Sequence, residues 1–367
     1  MSPSAYTLCR KGGIDMNGNM NCKKEQKAYF AALNGKNGFV SFFDGIFFSD
    51  KIKRSYIIKG GPGTGKSSFM RRVAANAVKS GRDVEYYYCS SDTESLDGVV
   101  IDGSIALLDG TAPHMCDTAL PGVRDGIIDL GRFWDADALE KHAAEVQKYG
   151  AEKKAAYANA YGYLSAAGRV GDTLKGVIAP CVKKEKLKAA VRRICDRITP
   201  DGSEEDRVCQ TSAFGVHGAV QLDTLKDMAR ILYAVEDYYG TAHLFMSELL
   251  SRARSIGYSV WVSYDTVDAS TPAQIYFPYS GECFYVCSEA AEGEERINMK
   301  RFTSAERLAD VRYSYRVARQ AYRSLLDLAA YELSLAGNAH AALEKIYVAS
   351  MDFEAEQKYC TEFLNKI

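Results

Sequence analysis

Residues 55–80 read as strand, glycine loop and helix in direct succession. Ser55-Tyr56-Ile57-Ile58-Lys59 has the apolar centre of a short buried strand. Gly60-Gly61-Pro62-Gly63-Thr64-Gly65-Lys66-Ser67 follows it and satisfies G-x-x-x-x-G-K-[ST] at every fixed position. From Ser68 to Lys79 the residues Phe69, Met70, Val73, Ala74, Ala77 and Val78 recur at helical spacing on one face, and Gly81 supplies the stop. Glycines let backbone N–H groups turn inward toward an anion. The helix N-terminus adds free donors and a dipole worth about 0.3–1 kcal/mol per exposed charge.

This is the Walker A pattern of a phosphate-binding loop, which assigns Gly60, Gly61, Pro62, Gly63, Thr64, Gly65, Lys66, Ser67 and Ser68 to nucleotide binding. Lys66 is expected to reach the β- and γ-phosphates, and the Ser67 hydroxyl to take one place on Mg²⁺. Val84-Glu85-Tyr86-Tyr87-Tyr88-Cys89 is a second strand, with Ser90-Ser91-Asp92-Thr93-Glu94 at its carboxyl end. In an open α/β sheet that end is where ligands sit. Two readings stand for it: a capping box with Ser91 at the N-cap and Glu94 three residues on, or the same cap with Asp92 or Glu94 orienting water or an acceptor. Val99-Val100-Ile101 and Ile105-Ala106-Leu107-Leu108 are further apolar runs. The latter ends in Asp109, 43 residues after Lys66 with one strand expected between, a Walker B placement that aims a carboxylate at the Mg²⁺ shell. Gly110 follows, so the glutamate that often neighbours a Walker B aspartate is missing, and Ala112 breaks a D-x-x-G. His114 either touches the γ-phosphate or a substrate, or is a structural residue in a proline turn.

Composition narrows the class. The 367 residues allow two or three domains, and 47% hydrophobic with 25% charged residues is ordinary for a globular protein. The net charge of −1 provides no field for nucleic acid or an anionic membrane. No apolar run approaches the ~20 residues that span a bilayer. No secretory h-region is visible, and the ten cysteines form no C-x-x-C pair. Reduced thiols and a cytoplasmic location are expected.

Along the chain, residues 1–24 read as a disordered leader and 25–134 as the core of the first half, with aromatic residues 39–48 covering a sheet edge. Residues 135–198 read as a helical hairpin or lid broken near Gly168–Gly171 and again near Pro180. Within it the basic stretch Lys183–Arg197 is a solvated helix face, or, more sharply, a lid that brings arginine to a triphosphate, or a nucleic-acid surface. Residues 199–207 are a polar linker, 208–300 a second core, and 301–367 a C-terminal helical segment. The second half echoes the first. Ile231–Val235 stands for the strand at 55–59, and Gly240-Thr241 matches Gly63-Thr64 at an offset of 177. Leu164-Ser165-Ala166-Ala167-Gly168 matches Leu333-Ser334-Leu335-Ala336-Gly337 at an offset of 169. The second loop has lost its chemistry: Lys66 becomes His243, Ser67 Leu244, Gly65 Ala242 and Gly60 Asp237, and Cys287 is read in place of Asp109.

With Gly38-Phe39-Val40-Ser41-Phe42-Phe43-Asp44, the glycine loop, Cys89-Ser90-Ser91-Asp92, Ser95-Leu96-Asp97-Gly98-Val99 and Asp109-Gly110-Thr111-Ala112-Pro113-His114, the chain resembles a largely uncharacterised family of bacterial P-loop ATPases built from two tandem P-loop-like halves. The resemblance covers nearly the whole chain and departs at 236–244, where some relatives keep a second loop. It implies an α/β fold, a duplicated, mainly parallel P-loop NTPase-type sheet flanked by helices, each half with a helical hairpin. It also implies ATP rather than GTP, in line with the lack of an Asn/Thr-Lys-x-Asp guanine motif. Mg²⁺-dependent ATP hydrolysis at one site per chain is therefore expected, with Lys66, Asp109, Asp92, Glu94 and His114 as candidate catalytic residues and Ser67 and Asp109 around Mg²⁺. The alternatives are a small-molecule or nucleotide kinase with an unknown acceptor, and a non-catalytic, nucleotide-gated protein with an unknown protein partner. Neither membrane nor nucleic acid is an expected partner.

Overall fold

The computed structural model describes residues 6–7, 27–112, 115–198 and 205–367. The first half supplies strands β1 (Lys27–Phe30), β2 (Arg54–Lys59), β3 (Val84–Tyr88), β4 (Leu96–Ile101), β5 (Ile105–Asp109) and β6 (Asp125–Asp129), with helix α1 (Lys66–Lys79) between β2 and β3. Helices α2 (Ala143–Ile178) and α3 (Lys184–Cys195) follow. The second half supplies β7 (Arg207–Val208), β8 (Ile231–Glu236), helix α4 (Ala242–Ser255), β9 (Trp261–Tyr264), β10 (Pro272–Phe277), β11 (Glu282–Cys287) and β12 (Glu295–Asn298). Helices α5 (Ala305–Ala349) and α6 (Phe353–Leu364) end the chain.

The sheets run β1-β3-β4-β5-β2-β6 and β7-β9-β10-β11-β8-β12, which is one topology used twice. In each, the third strand in the row is antiparallel to both neighbours and the other pairs are parallel. The chain is thus α/β with mixed sheets of mostly parallel strands. Two strands, not one, separate α1 from β5, because Asp102 and Gly103 at positive φ turn β4 straight back into β5. No helix starts at Ser91, so the expected capping box is absent. Residues 90–95 instead form the turn between β3 and β4, which Asp92 closes by accepting from the Glu94 N–H (3.0 Å) and the Ser95 hydroxyl (2.8 Å). Asp268 closes the equivalent turn through Ser270 (3.1 Å) and Thr271 (2.9 Å).

Period-two alternation gives both sheets two apolar faces. Ile58, Tyr86, Val99 and Leu107 face α1, while Ile57, Tyr87, Val100 and Ala106 face the other way, into a core shared with Leu225, Tyr276 and Cys283 of the second half. Ile275, Phe277 and Phe284 of the second sheet face α4. The layers therefore run helix, sheet, sheet, helix. Across the shared core Arg207 of β7 forks onto Glu85 of β3 (2.9 Å for one arm) and onto the Tyr87 hydroxyl (2.6 Å). Burial alone would raise the Glu85 carboxyl, but the Arg207 bonds outweigh it and hold the group below its usual range.

The helical segments differ from the expected hairpins. Helix α2 passes unbroken through Gly168 and Gly171. At Gly168 a side chain would collide with Lys36, whose Cβ lies 2.3 Å from the place a Cβ would take. Helix α2 pairs antiparallel with α5 through Ala160, Leu164, Ala329 and Leu333. Each long helix then delivers its short successor to the opposite half. Leu187, Val191, Ile194 and Cys195 of α3 pack on α4, and Cys360 and Phe363 of α6 pack on α1. Paired backbone bonds clamp both crossings: Asp135 N to Ser350 O (2.7 Å) with Asp352 N to Phe133 O (2.8 Å), and Ser304 N to Cys181 O (2.8 Å) with Lys183 N to Phe302 O (2.7 Å). The basic helix α3 consequently lies on the second half with its charges outward, as a solvated face and not as a lid over residues 60–67. The expected linker ends early, since Arg207 already pairs with Trp261, and Asp206 binds Arg254 (2.6 Å). Of the expected disordered leader, Tyr6 and Thr7 pair in parallel with Val220 and Gln221; its other residues up to Cys22, Lys23 and Lys24 lie outside the described set.

Phe363 meets Tyr56 edge-on at 4.9 Å and Phe69 at a tilt at 5.4 Å between ring centres. Phe363→Ala should cost about 3–5 kcal/mol by urea unfolding. It should also loosen hydrogen exchange in α1 rather than in α4, although Phe363 is close to the C-terminus.

Candidate nucleotide site and its degenerate counterpart

The strand–loop–helix reading of 55–80 holds with two adjustments: β2 begins at Arg54, and α1 begins at Lys66. Gly65 precedes the helix in the left-handed region (φ +85) and gives it no side-chain cap, so the first amides, of Lys66, Ser67 and Ser68, are left to the loop. Thr64 donates to the Gly61 carbonyl (2.9 Å) and tightens the bend after Pro62. The Lys66 ammonium donates to the carbonyls of Gly60 (3.1 Å) and Gly61 (2.8 Å) and lies 3.7 Å from Asp109 Oδ2. Asp109 Oδ1 is held by the Thr111 N–H (2.8 Å) and hydroxyl (2.6 Å), which leaves Oδ2 toward the lysine. The Ser67 hydroxyl accepts from Leu96 N–H (3.1 Å) and so ties the loop to β4.

Lys66, Ser67 and Asp109 are therefore brought to one place. Asp92 sits in the neighbouring turn. Glu94 is exposed, and its backbone rather than its carboxylate is engaged, accepting from Arg71. His114 lies outside the described residues. Among the described residues no cluster of three or more acidic, His or Cys side chains forms a metal cage. One hydroxyl and one carboxylate oxygen fit a hard cation that keeps most of its waters and shares phosphate oxygens, which is the habit of Mg²⁺.

Sequence reasoning missed the residues that the opposite helices bring to the loop. The C-terminal turns of α5 lie against it. A side chain at Gly61 would strike the Tyr347 ring at 2.7 Å, and one at Gly63 (φ +68) the Glu344 carbonyl at 2.9 Å. Lys153 of α2 meets His340 of α5 at 2.9 Å, and His340 lies 3.6 Å from Glu344. Glu356 of α6 binds Arg72 of α1. Burial pulls the Lys153 ammonium below its ordinary value, with the Lys66 charge adding to the effect. Burial, together with the Lys153 and Lys66 charges, pulls the His340 imidazole down to about 4. Burial and the Asp92 charge push the Glu344 carboxyl up, against the pull of Lys66, Lys153 and the Gly63 amide.

The second half shows the same site with other contents. Asp237 accepts from the amides of Gly240 (2.8 Å) and Ala242 (2.9 Å), so a carboxylate of the chain occupies the anion position of that loop. His243 bonds to the Gly240 carbonyl (2.6 Å), and burial holds it below its ordinary value. Strand register corrects one sequence pairing. Ile58 faces Asp109 in the first sheet and Val235 faces Val286 in the second, so Val286, not Cys287, stands for Asp109. At the 169-residue offset Lys175 stands for Glu344, Gly171 for His340 and Tyr322 for Lys153. Lys175 there binds Asp268 (2.5 Å), the counterpart of Asp92. A cavity of about 250 Å³ opens beside this loop, lined by Lys175, Asp237, His243, Asp268 and Tyr322 among others.

His340 makes a pH prediction. The folded imidazole stays neutral down to about pH 4, whereas the unfolded one takes a proton near 6.5. Between those values the unfolded chain holds more protons, so stability falls as pH falls. The urea midpoint should be lower at pH 5 than at pH 7, and His340→Gln should narrow that gap.

No protein-family model, no curated protein and no solved structure matches this chain. No helix of the described residues is long and apolar enough to cross a membrane, and no disulfide joins their cysteines.

Proposed function

We propose that the chain is a Mg²⁺-dependent ATPase of the P-loop NTPase type with one nucleotide site, at residues 60–68, and a second half that has given up phosphate binding. The observation that carries this reading is the contrast between the two loops. In the first, glycines, an uncapped helix start, Lys66 and the Asp109 oxygen that faces it converge; in the second, Asp237 fills the equivalent amides. Bound Mg²⁺ would neutralise phosphate charge, held through Ser67 and Asp109. Lys66 leaves its loop carbonyls for the β- and γ-phosphates, and the loop amides orient the chain of phosphates and exclude bulk water. A cytoplasmic location belongs to this reading and is supported by the free thiols among the described cysteines. ATP rather than GTP rests on the family resemblance and the missing guanine motif.

Calorimetry with Mg-ATP should give one nucleotide per chain, and Lys66→Ala should weaken it roughly 10- to 100-fold, about 1.5–3 kcal/mol for a charge-assisted contact. Unchanged affinity in that variant, or two nucleotides per chain, would refute the assignment. Asp109→Asn should reduce phosphate release far more than binding, because charge at the metal grows in the transition state; equal losses would reduce Asp109 to a strand terminus.

A further inference from the structure

An ATPase needs a base or a positioning group for its water, and residues 110–112, Gly-Thr-Ala, offer no carboxylate after Asp109. The second half delivers one from outside the sheet. Glu344, on the last turns of α5, packs its main chain on Gly63, its carbonyl 2.9 Å from the place a Gly63 Cβ would take, and Lys66, the residue that reaches the terminal phosphates, acts electrostatically on its carboxyl. We propose that Glu344 is the general base of hydrolysis, contributed by the helical segment of the opposite half; this rests on the ATPase reading above.

That packing puts Glu344 beside the outer limb of the loop, away from the helix start that would hold the inner phosphates. With ATP on the loop, the Glu344 carboxylate faces the γ-phosphate. There it accepts the proton of a water whose oxygen bonds to the γ-phosphorus. The bond from the γ-phosphorus to the β–γ bridging oxygen breaks, its electron pair leaves with ADP, and Glu344 returns the proton to solvent. The charged groups around it suit that task. Asp92 from the turn after β3 raises its affinity for a proton, while Lys66 of α1, Lys153 of α2 and His340 of α5 keep a positive or neutral wall toward the phosphate. The degenerate half supplies an internal control. At the equivalent of Glu344 it carries Lys175, bound to Asp268, where no phosphate is to be attacked.

The experiment measures Mg-ATP affinity by calorimetry and phosphate release over pH 5–9 for the wild type, Glu344→Gln and Glu344→Asp. Glu344→Gln should bind ATP as tightly as the wild type or tighter and release phosphate roughly 10²- to 10⁴-fold more slowly, the usual span for a lost general base. It should also lose the acid limb of the wild-type profile. Glu344→Asp keeps the charge and should keep the limb at a reduced rate, which covers the case of a glutamine variant that folds poorly. Phosphate release by Glu344→Gln within about threefold of wild type overturns the proposal alone, and so does an acid limb that survives in it. Wild-type protein that binds Mg-ATP and releases no phosphate overturns hydrolysis and the proposal together.

Discussion

Each of the two sheets is apolar on both faces, and that constraint orders the rest of the molecule. A sheet with one apolar face can stand between a helix and water. Ile57 beside Ile58, or Tyr86 beside Tyr87, demands cover on both sides. One face of each sheet is covered by its own helix and a short helix from the other half, and the second faces are covered by each other. The two halves share a buried core, and the Arg207–Glu85 fork spans it at a place where an unpaired charge would be costly.

The crossing of the long helices turns this packing into a composite site. Helices α2 and α5 approach closely because Ala156, Ala160, Ala329 and Ala336 line their contact. A helix rises about 1.5 Å per residue, so only a helix of this length reaches from its own half to the other's loop. The loop at 60–67 thus collects Lys153, His340 and Glu344 from two helices while its own strand and helix provide only Lys66 and Ser67. The same geometry in the second half collects Gly171, Lys175 and Tyr322 around a loop already neutralised by Asp237. The fold is repeated; the charges are not.

The divergence is electrostatically consistent. Where the uncapped amides and Lys66 lie, the approaching helix carries Glu344. Where Asp237 has already satisfied the amides, the approaching helix carries Lys175, and its charge goes to Asp268 instead. A lysine at 344 would stand near the charges of Lys66 and Lys153, and a glutamate at 175 would face Asp237 and Asp268 with little to balance it.

Local chemistry was legible in the chain itself. Strand β2, the loop glycines and helix α1 follow from neighbouring residues, as do the alternating strands, because dihedral preferences and side-chain periodicity act over a few residues. The duplication was legible too, since two halves with the same burial needs keep similar spacing. Tertiary structure alone decided what those stretches meet. The glycines at 168 and 171 signal a helix break when read locally, yet they serve a close approach to Lys36 and Tyr322. Ser91 and Glu94 have the spacing of a cap, yet the β3–β4 hairpin takes the turn that a helix would need. Val286 rather than Cys287 stands at the position of Asp109, because register follows backbone pairing and not residue type. Glu344 lies 278 residues from Lys66 on a helix whose periodicity marks only one buried face. Its place at the loop is set by the crossing of α5 over α2, a contact between segments too far apart for any local pattern to report.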